Sequence, residues 1–218
     1  MPTSTPLDTA FWISFSVQAF AAFATLSAAA VALFGQAFRA KYFPPQLTVE
    51  LLNKDGEFTT VRLYPPGATD HSQYREEEPR YYHLQVANSR RWSPARETQV
   101  FLLHVEVPGP DGKLQRIWSG SAPLGWRHSE ISPKNRTIGA NADVDLCSVF
   151  RGKWLQIHPL VIPHNLTTSW QTATTVVLSL QARSNESDSD VIRMQISWDG
   201  AFDKGTLEMR RHLVIAKI

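Results

Sequence analysis

The chain has 218 residues, of which 43% are hydrophobic and 19% charged, and its 22 Lys and Arg against 20 Asp and Glu leave a net charge of +2. This composition excludes an intrinsically disordered chain, which needs low hydrophobicity and high net charge. The small net charge argues against a general nucleic-acid binder. The single Cys, Cys147, excludes an intrachain disulfide and any zinc site built from several cysteines.

The N-terminal part of the chain contains an uncharged stretch from Thr9 to Phe38, bracketed by Asp8 and Arg39. It is longer than the ~20 helical residues that cross the hydrocarbon core of a bilayer. It is rich in Ala, the best helix former, and has no Pro. We therefore predict a short tail over 1–8 and a transmembrane helix over 9–38. A buried helix of a soluble fold and a cleaved signal peptide are the alternatives, and a signal peptide would carry basic residues before its apolar core.

The charges that flank this stretch predict its orientation. Arg39 and Lys41 follow it, whereas no Lys or Arg precedes it. The positive-inside rule then puts the N-terminus outside and the rest of the chain in the cytoplasm, and a lone Cys agrees with a reducing compartment. Ala21, Thr25 and Ala29 recur at four-residue spacing, as in helices that approach closely in lipid, which suggests a homo-oligomer formed through the span.

The rest of the chain is expected to be all-β. Pro44 and Pro45 end the helix, and a linker over 39–46 leads into a domain over 47–218. The expected strands are 47–52, 58–64, 82–86, 98–107, 113–118, 144–146, 154–158, 176–182, 192–198 and 213–218. Turns at 53–56 and 108–112 predict two hairpins, and no stretch has a helical period. Many short strands with close turns indicate an antiparallel sandwich, or else a closed barrel.

One segment resembles bacterial immunoglobulin-like modules. The run from Tyr82 to Asn88 alternates and ends at an Asn, Pro94 and Ala95 lie in a short loop, and the next strand continues from Val100. The resemblance covers about 25 residues and implies an immunoglobulin-like sandwich of bacterial origin. It implies adhesion or partner binding rather than catalysis.

Catalytic and metal-binding patterns are sparse. The sequence has no Gly-rich phosphate loop, no Cys-x-x-Cys, no His-Glu-x-x-His and no Gly-x-Ser-x-Gly. Asp143, Asp145 and Cys147 share one face of a predicted strand at a period of two, which suits either a cation or a solvated face. The histidines in or beside Pro-containing loops are His128, His158 and His164. A hydrolase that uses the two aspartates and a loop histidine is one hypothesis, but we expect no enzyme, no metal and no cofactor.

Tryptophans beside cations are the stronger binding signal, because Trp and Arg are enriched where binding energy concentrates. The segment from Arg90 to Arg96 is a basic run that contains Trp92. Counting strands from residue 47 places this run at the end of the domain away from the membrane, beside Arg151 and Lys153. The same count places the acidic run 76–78 near the membrane. The candidate binding residues are Arg90, Arg91, Trp92, Arg96, Arg151 and Lys153.

The sequence therefore predicts an immunoglobulin-like antiparallel β-sandwich preceded by one N-terminal transmembrane helix. The expected function is a membrane-anchored binding, scaffold or sensor protein whose cytoplasmic domain contacts an unidentified protein or a small anionic ligand. A first alternative is a ligand-gated membrane effector, in which a barrel closes around a nucleotide-like anion. A second alternative is an extracytoplasmic adhesion domain.

Overall fold

The computed structural model describes residues 7–63, 74–128, 134–151 and 154–218, in two compact units, Met1–Pro44 and Pro45–Ile218. The first unit is helix α1, Leu7–Tyr42. Its segment Phe11–Ala32 has a mean hydropathy of 1.6, so α1 is long and apolar enough to cross a membrane. Because α1 continues to Tyr42, the connection to the β domain is shorter than the expected linker.

The second unit is built from short antiparallel strands and one short helix. In chain order they are β1 (Leu47–Leu51), β2 (Glu57–Phe58), β3 (Val61–Leu63), β4 (Arg75–Glu77), β5 (Arg80–Asn88), β6 (Ala95–Pro108), β7 (Leu114–Pro123), β8 (Arg136–Ile138), β9 (Asn141–Val149), β10 (Leu155–Ile157), β11 (Ser169–Trp170), β12 (Thr174–Arg183), β13 (Ile192–Trp198), α2 (Thr206–His212) and β14 (Leu213–Lys217).

In the part of the chain that the structure describes, the strands of the second unit form two larger sheets and one two-stranded sheet. The first sheet has the order β1-β5-β9-β10-β11, with β2 also paired to β5. The second sheet has the order β14-β13-β12-β6-β7, with β8 also paired to β6. Strands β3 and β4 pair with each other. The prediction of an all-β fold with antiparallel sheets and one N-terminal apolar helix is confirmed.

One apolar core joins the two sheets. Alternation along the strands creates it, because every second side chain of a strand points to the same face. On β5, Tyr82, Leu84 and Val86 are buried in this core. On the second sheet, Met194 and Ile196 of β13 belong to the same core. The intervening residues of β5 lie on the opposite face of the first sheet, where the polar groups described below are found.

The two predicted hairpins have different outcomes. The turn at 108–112 joins β6 and β7 as expected, with Pro108 paired to Leu114. The turn at 53–56 does not form a hairpin between β1 and the next strand, because β1 pairs antiparallel with β5 along its whole length. The expected strand 58–64 is instead divided between β2 and β3 in the part that the structure describes, and residue 64 lies outside the described residues.

Two local features depart from the sequence analysis. The register of β9 against β5 shifts by one residue after Asp145, and this bulge turns Cys147 into the core, away from the face that Asp143 and Asp145 share. Helix α2 was not predicted, because seven residues are too few for a helical period. Glu208 in its first turn and Arg210 and Arg211 in its last turn are the only sequence signal, since they complement the helix dipole.

Candidate functional site

Four of the predicted binding residues lie in one surface segment, residues 89–96, which is called here the basic loop and comprises the connection from β5 to β6 and the first two residues of β6. Arg91 and Arg96 are exposed and Arg90 is half-buried. The side chain of Trp92 is 55% exposed, whereas Trp126 and Trp198 are buried in the core. The basic loop therefore presents a large aromatic ring to the surface between cationic residues.

Asn88, the last residue of β5, holds the basic loop in place. Its amide nitrogen donates to the carbonyl oxygen atoms of Ser93, at 2.8 Å, and Ile138, at 3.2 Å. Its amide oxygen accepts from the backbone N–H groups of Gln46, at 3.2 Å, and Arg90, at 3.0 Å. Asn88 is only 2% exposed, so this one side chain fixes both ends of the loop tip against the residue that begins the β domain.

The basic loop lies at the end of the β domain where the chain enters from Pro45, called here the linker end. The backbone N–H of Ser89 donates to the carbonyl oxygen of Gln46 at 3.0 Å, and the Ser89 hydroxyl donates to the Gln46 side chain. From the neighbouring loop, the hydroxyl of Ser187 donates to the carbonyl oxygen of Pro45 at 2.7 Å. This location is opposite to the one predicted by counting strands.

Arg151 lies at the other end of the first sheet, called here the distal end. Strand β9 pairs Asn141 with Ala87 and Val149 with Arg80, so Arg151 follows the end of β9 that lies farthest from Asn88. The paired strands separate the two ends by roughly 25 Å. The predicted grouping of the basic loop with Arg151 is therefore wrong, and Lys153 lies outside the described residues.

The error has a simple physical cause. The count treated residues 58–64 as a full strand returning from β1, whereas β5 itself is the strand that returns along β1. One strand too many inverts the end assigned to the basic loop, whereas Arg151 lies at the distal end, as the count predicted. The acidic run 76–78, expected near the membrane, likewise precedes Arg80 at the distal end, where Glu78 forms an ion pair with Lys204.

The outward face of the first sheet carries a compact polar cluster. The Nδ1 of His83 on β5 lies 2.8 Å from Oδ1 of Asp145 on β9. The Oγ of Ser148 lies 2.8 Å from Nε2 of His158, which follows β10. The ring of Tyr81 stacks against both histidines, with ring centroids 6.2 Å from His83 and 5.3 Å from His158. The sequence analysis singled out Asp145 and His158 but missed His83, Tyr81 and Ser148.

Burial governs the chemistry of this cluster. It lowers the pKa of His158, with Asp145 opposing the shift and His83 adding to it. Ser148 is fully buried, so its hydroxyl is inaccessible to a substrate in this conformation. Burial also raises the pKa of the fully buried Cys147 thiol, which makes the nucleophilic thiolate scarce.

A polar groove of about 530 Å³ lies beside this cluster. Its lining residues are Gln85, Arg127, His128, Arg136, Asn141, Ala142 and Asp143. Arg127 forms ion pairs with Glu57 and with Asp143, the latter at 3.6 Å. The guanidinium of Arg136 lies 5.4 Å from the ring centroid of Trp126 and donates to the Arg127 carbonyl oxygen at 3.4 Å. Two guanidinium groups therefore border one opening.

The three loop histidines have different surroundings. His128 lines the groove, His158 belongs to the polar cluster, and His164 is exposed. Within the described residues, no group of three or more His, Cys, Asp or Glu side chains is positioned to hold a metal ion. Asp143 and Asp145 do share the outward face of β9, but the histidine bonded to Asp145 is the strand residue His83.

Comparison with known proteins supplies no assignment. No protein-family model matches this sequence, and no curated protein matches it. The proposals below therefore rest on the residues and their geometry.

Proposed function

We propose that the chain is a single-span membrane protein that acts by binding, with α1 as its anchor and the β domain as its recognition module. The observation that carries this proposal is the surface of α1. Bulky apolar side chains from Phe11 to Phe34 are exposed on it, and the segment Phe11–Ala32 has 22 residues. A surface of this kind is stable in lipid and unfavourable in water.

Two hydroxyl groups of α1 also suit an apolar environment. The Ser16 hydroxyl donates to the carbonyl oxygen of Trp12 at 2.7 Å, and the Thr25 hydroxyl donates to that of Ala21 at 2.8 Å. A polar group in the hydrocarbon region needs an internal partner because no water is present to provide one. These two groups find their partners one turn back in the same helix.

The orientation we propose has the N-terminus outside and the β domain in the cytoplasm. It rests on Arg39 and Lys41, which follow the apolar stretch, and on residues 1–8, which contain no Lys or Arg. Self-association of α1 through Ala21, Thr25 and Ala29 remains part of this proposal.

Binding is favoured over catalysis by the state of the reactive groups. The hydroxyl of Ser148 and the thiol of Cys147 are buried, and the imidazoles of His83 and His158 are engaged within the polar cluster. Among the described residues, the basic loop and the groove are accessible, and they offer cations, amides, one indole ring, and the side chains of His128 and Asp143. These are recognition groups and include no accessible nucleophile paired with a base.

A second candidate function is the recognition of a small anion, as in the ligand-gated effector considered above. Buried apolar side chains fill the space between the two sheets, so a ligand enclosed in a barrel has no room there. The groove is the alternative location, because Arg127 and Arg136 border it and guanidinium groups suit phosphate or carboxylate. Glu57 and Asp143 partly offset the charge of Arg127.

Thiol accessibility in intact cells tests the proposed topology. Thr167→Cys introduces a thiol at an exposed position of the β domain, and Ser4→Cys introduces one before α1. The native Cys147 stays in place because it is fully buried. An impermeant maleimide should label Ser4→Cys in intact cells and Thr167→Cys only after lysis.

The opposite labelling pattern would contradict the proposed orientation and would favour an extracytoplasmic adhesion domain. Release of the protein from membranes by alkaline carbonate would contradict anchoring by α1 itself. The two results separate an error in orientation from an error in the membrane assignment.

A further inference from the structure

We infer that the basic loop is a docking surface for anionic lipid headgroups of the bilayer that α1 crosses. This inference rests on the membrane anchoring proposed above and adds a second, electrostatic contact with the same membrane. The residues that make the contact are Arg90, Arg91 and Trp92 at the loop tip, with Arg96 at its base.

The aromatic residues of α1 indicate the depth at which its C-terminal end lies in the bilayer. Trp12 and Tyr42 are aromatic residues near the two ends of α1, and about 45 Å of helix separates them at 1.5 Å per residue. This length matches the thickness of a bilayer with its headgroup regions, about 40–45 Å. Trp and Tyr are enriched at both membrane interfaces, so Tyr42 belongs at headgroup level, next to the exposed Lys41.

The short connection between α1 and the β domain limits the distance between Tyr42 and Gln46. Phe43, Pro44 and Pro45 separate Tyr42 from Gln46. An extended chain advances at most about 3.6 Å per residue, so covalent connectivity alone keeps Gln46 within about 14 Å of Tyr42. This limit is independent of any packing between the helix and the β domain.

Hydrogen bonds attach the basic loop to Gln46. Asn88 and Ser89 hydrogen-bond to the backbone of Gln46, and Asn88 also bonds to both Arg90 and Ser93. The loop tip therefore moves with the residue that the chain holds close to the headgroups. Had the loop lain at the distal end with Arg151, the length of the paired strands would have separated it from Gln46 by roughly 25 Å.

The side chains at the tip of the basic loop suit a membrane interface. Trp92 is 55% exposed, and Arg91 beside it is exposed. An indole with an adjacent guanidinium suits an interface, where the ring enters the headgroup layer and the cation meets phosphate. Glu186 meets the loop at its base, where its carboxylate accepts from the backbone N–H of Arg96 at 2.8 Å. The tip therefore presents Arg91 and Trp92, and the cytoplasmic leaflet, which carries anionic lipid, supplies the complementary charge.

The test uses the full chain in lipid nanodiscs that contain a lipid with a spin-labelled headgroup, which quenches nearby tryptophan fluorescence. The quenching of Trp92 is the difference between the unmodified chain and Trp92→Phe, so the other tryptophans cancel. One set of discs contains equal parts of phosphatidylcholine and phosphatidylglycerol, and the other contains phosphatidylcholine alone. We expect Trp92 to be quenched strongly in the anionic discs and weakly in the neutral ones.

Charge variants make the test specific. Each Arg near an anionic surface changes the ratio of docked to undocked loop about fivefold. Arg91→Gln should therefore lower this ratio about fivefold, and Arg90→Gln with Arg91→Gln about 30-fold. The matched control is Lys113→Gln with Arg151→Gln, because Lys113 follows the end of β6, and Arg151 the end of β9, that lies away from the basic loop. This control removes two charges and should leave Trp92 quenching unchanged.

Equal Trp92 quenching in the two kinds of disc, or equal effects of the two double variants, would overturn the docking inference. A chain that fails to enter the discs would instead overturn the membrane anchoring on which it rests. The two failures are distinguishable because disc incorporation is measured separately, by co-elution of the chain with the disc.

Discussion

Replacing Asn88 with Ala should destabilise the β domain and release the basic loop. The side chain is buried and joins three segments: the start of the domain at Gln46, the loop at Arg90 and Ser93, and the end of β8 at Ile138. Ala removes all four hydrogen bonds and leaves a small space, so the change isolates the polar contribution of this residue.

The magnitude follows from the surroundings of each bond. The two bonds donated to Ser93 and Ile138 are buried, and a buried hydrogen bond of this kind contributes about 1 kcal/mol. The two bonds accepted from Gln46 and Arg90 are partly buried, and water replaces some of their value, which leaves about 0.5 kcal/mol each. We expect Asn88→Ala to lower the free energy of unfolding by about 3 kcal/mol.

Urea unfolding of the full chain in detergent micelles, followed by the fluorescence of the buried tryptophans, measures this loss. Asn88→Asp keeps the accepted bonds but turns a carboxylate oxygen towards two carbonyl oxygens, so it should be at least as destabilising near neutral pH. Ser89→Ala, at the adjacent exposed position, should change stability by less than about 0.5 kcal/mol. A loss below about 1 kcal/mol for Asn88→Ala would refute the anchoring role of this side chain.

Four further outcomes are expected. Because burial lowers the pKa of His158, the unfolded chain takes up a proton more readily, so urea stability should fall as the pH drops below about 6.5 and His158→Gln should reduce that fall. Cys147 should resist maleimide in the folded chain and react in urea, as followed by mass spectrometry, since it is fully buried. Inorganic phosphate should raise the thermal midpoint of the unmodified chain, and less so that of Arg136→Gln, if the groove binds anions. Gly56→Ala should lower urea stability by about 2 kcal/mol, because φ is +63° and a Cβ there would lie 2.7 Å from a backbone oxygen, whereas Gly139→Ala has open space and should be nearly neutral.

The sequence was informative about the faces of the strands. Hydrophobic alternation correctly placed Tyr82, Leu84 and Val86 on one face of β5 and Trp198 in the core. It failed at Cys147, because the bulge on β9 breaks the period of two and carries no signature in the residues themselves. The polar cluster was only partly foreseeable for a related reason: His83 and Asp145 come together through the pairing of β5 with β9, which alternation does not specify.

The ends of the strands were a harder problem than the faces. An end is assigned by counting reversals of the chain, and one misjudged strand changes the assignment of the loops that follow until a second error restores it, as at Arg151. Strands as short as β2 and β3 have too few residues to establish a period, so the count fails where the sequence is least informative. The pairing of β1 with β5 decides the matter, and the bonds of Asn88 and Ser89 to Gln46 reinforce it. Because of that one pairing, the cationic loop lies where the chain enters the domain, and its proposed partner changes from a distant cytoplasmic molecule to the membrane surface itself.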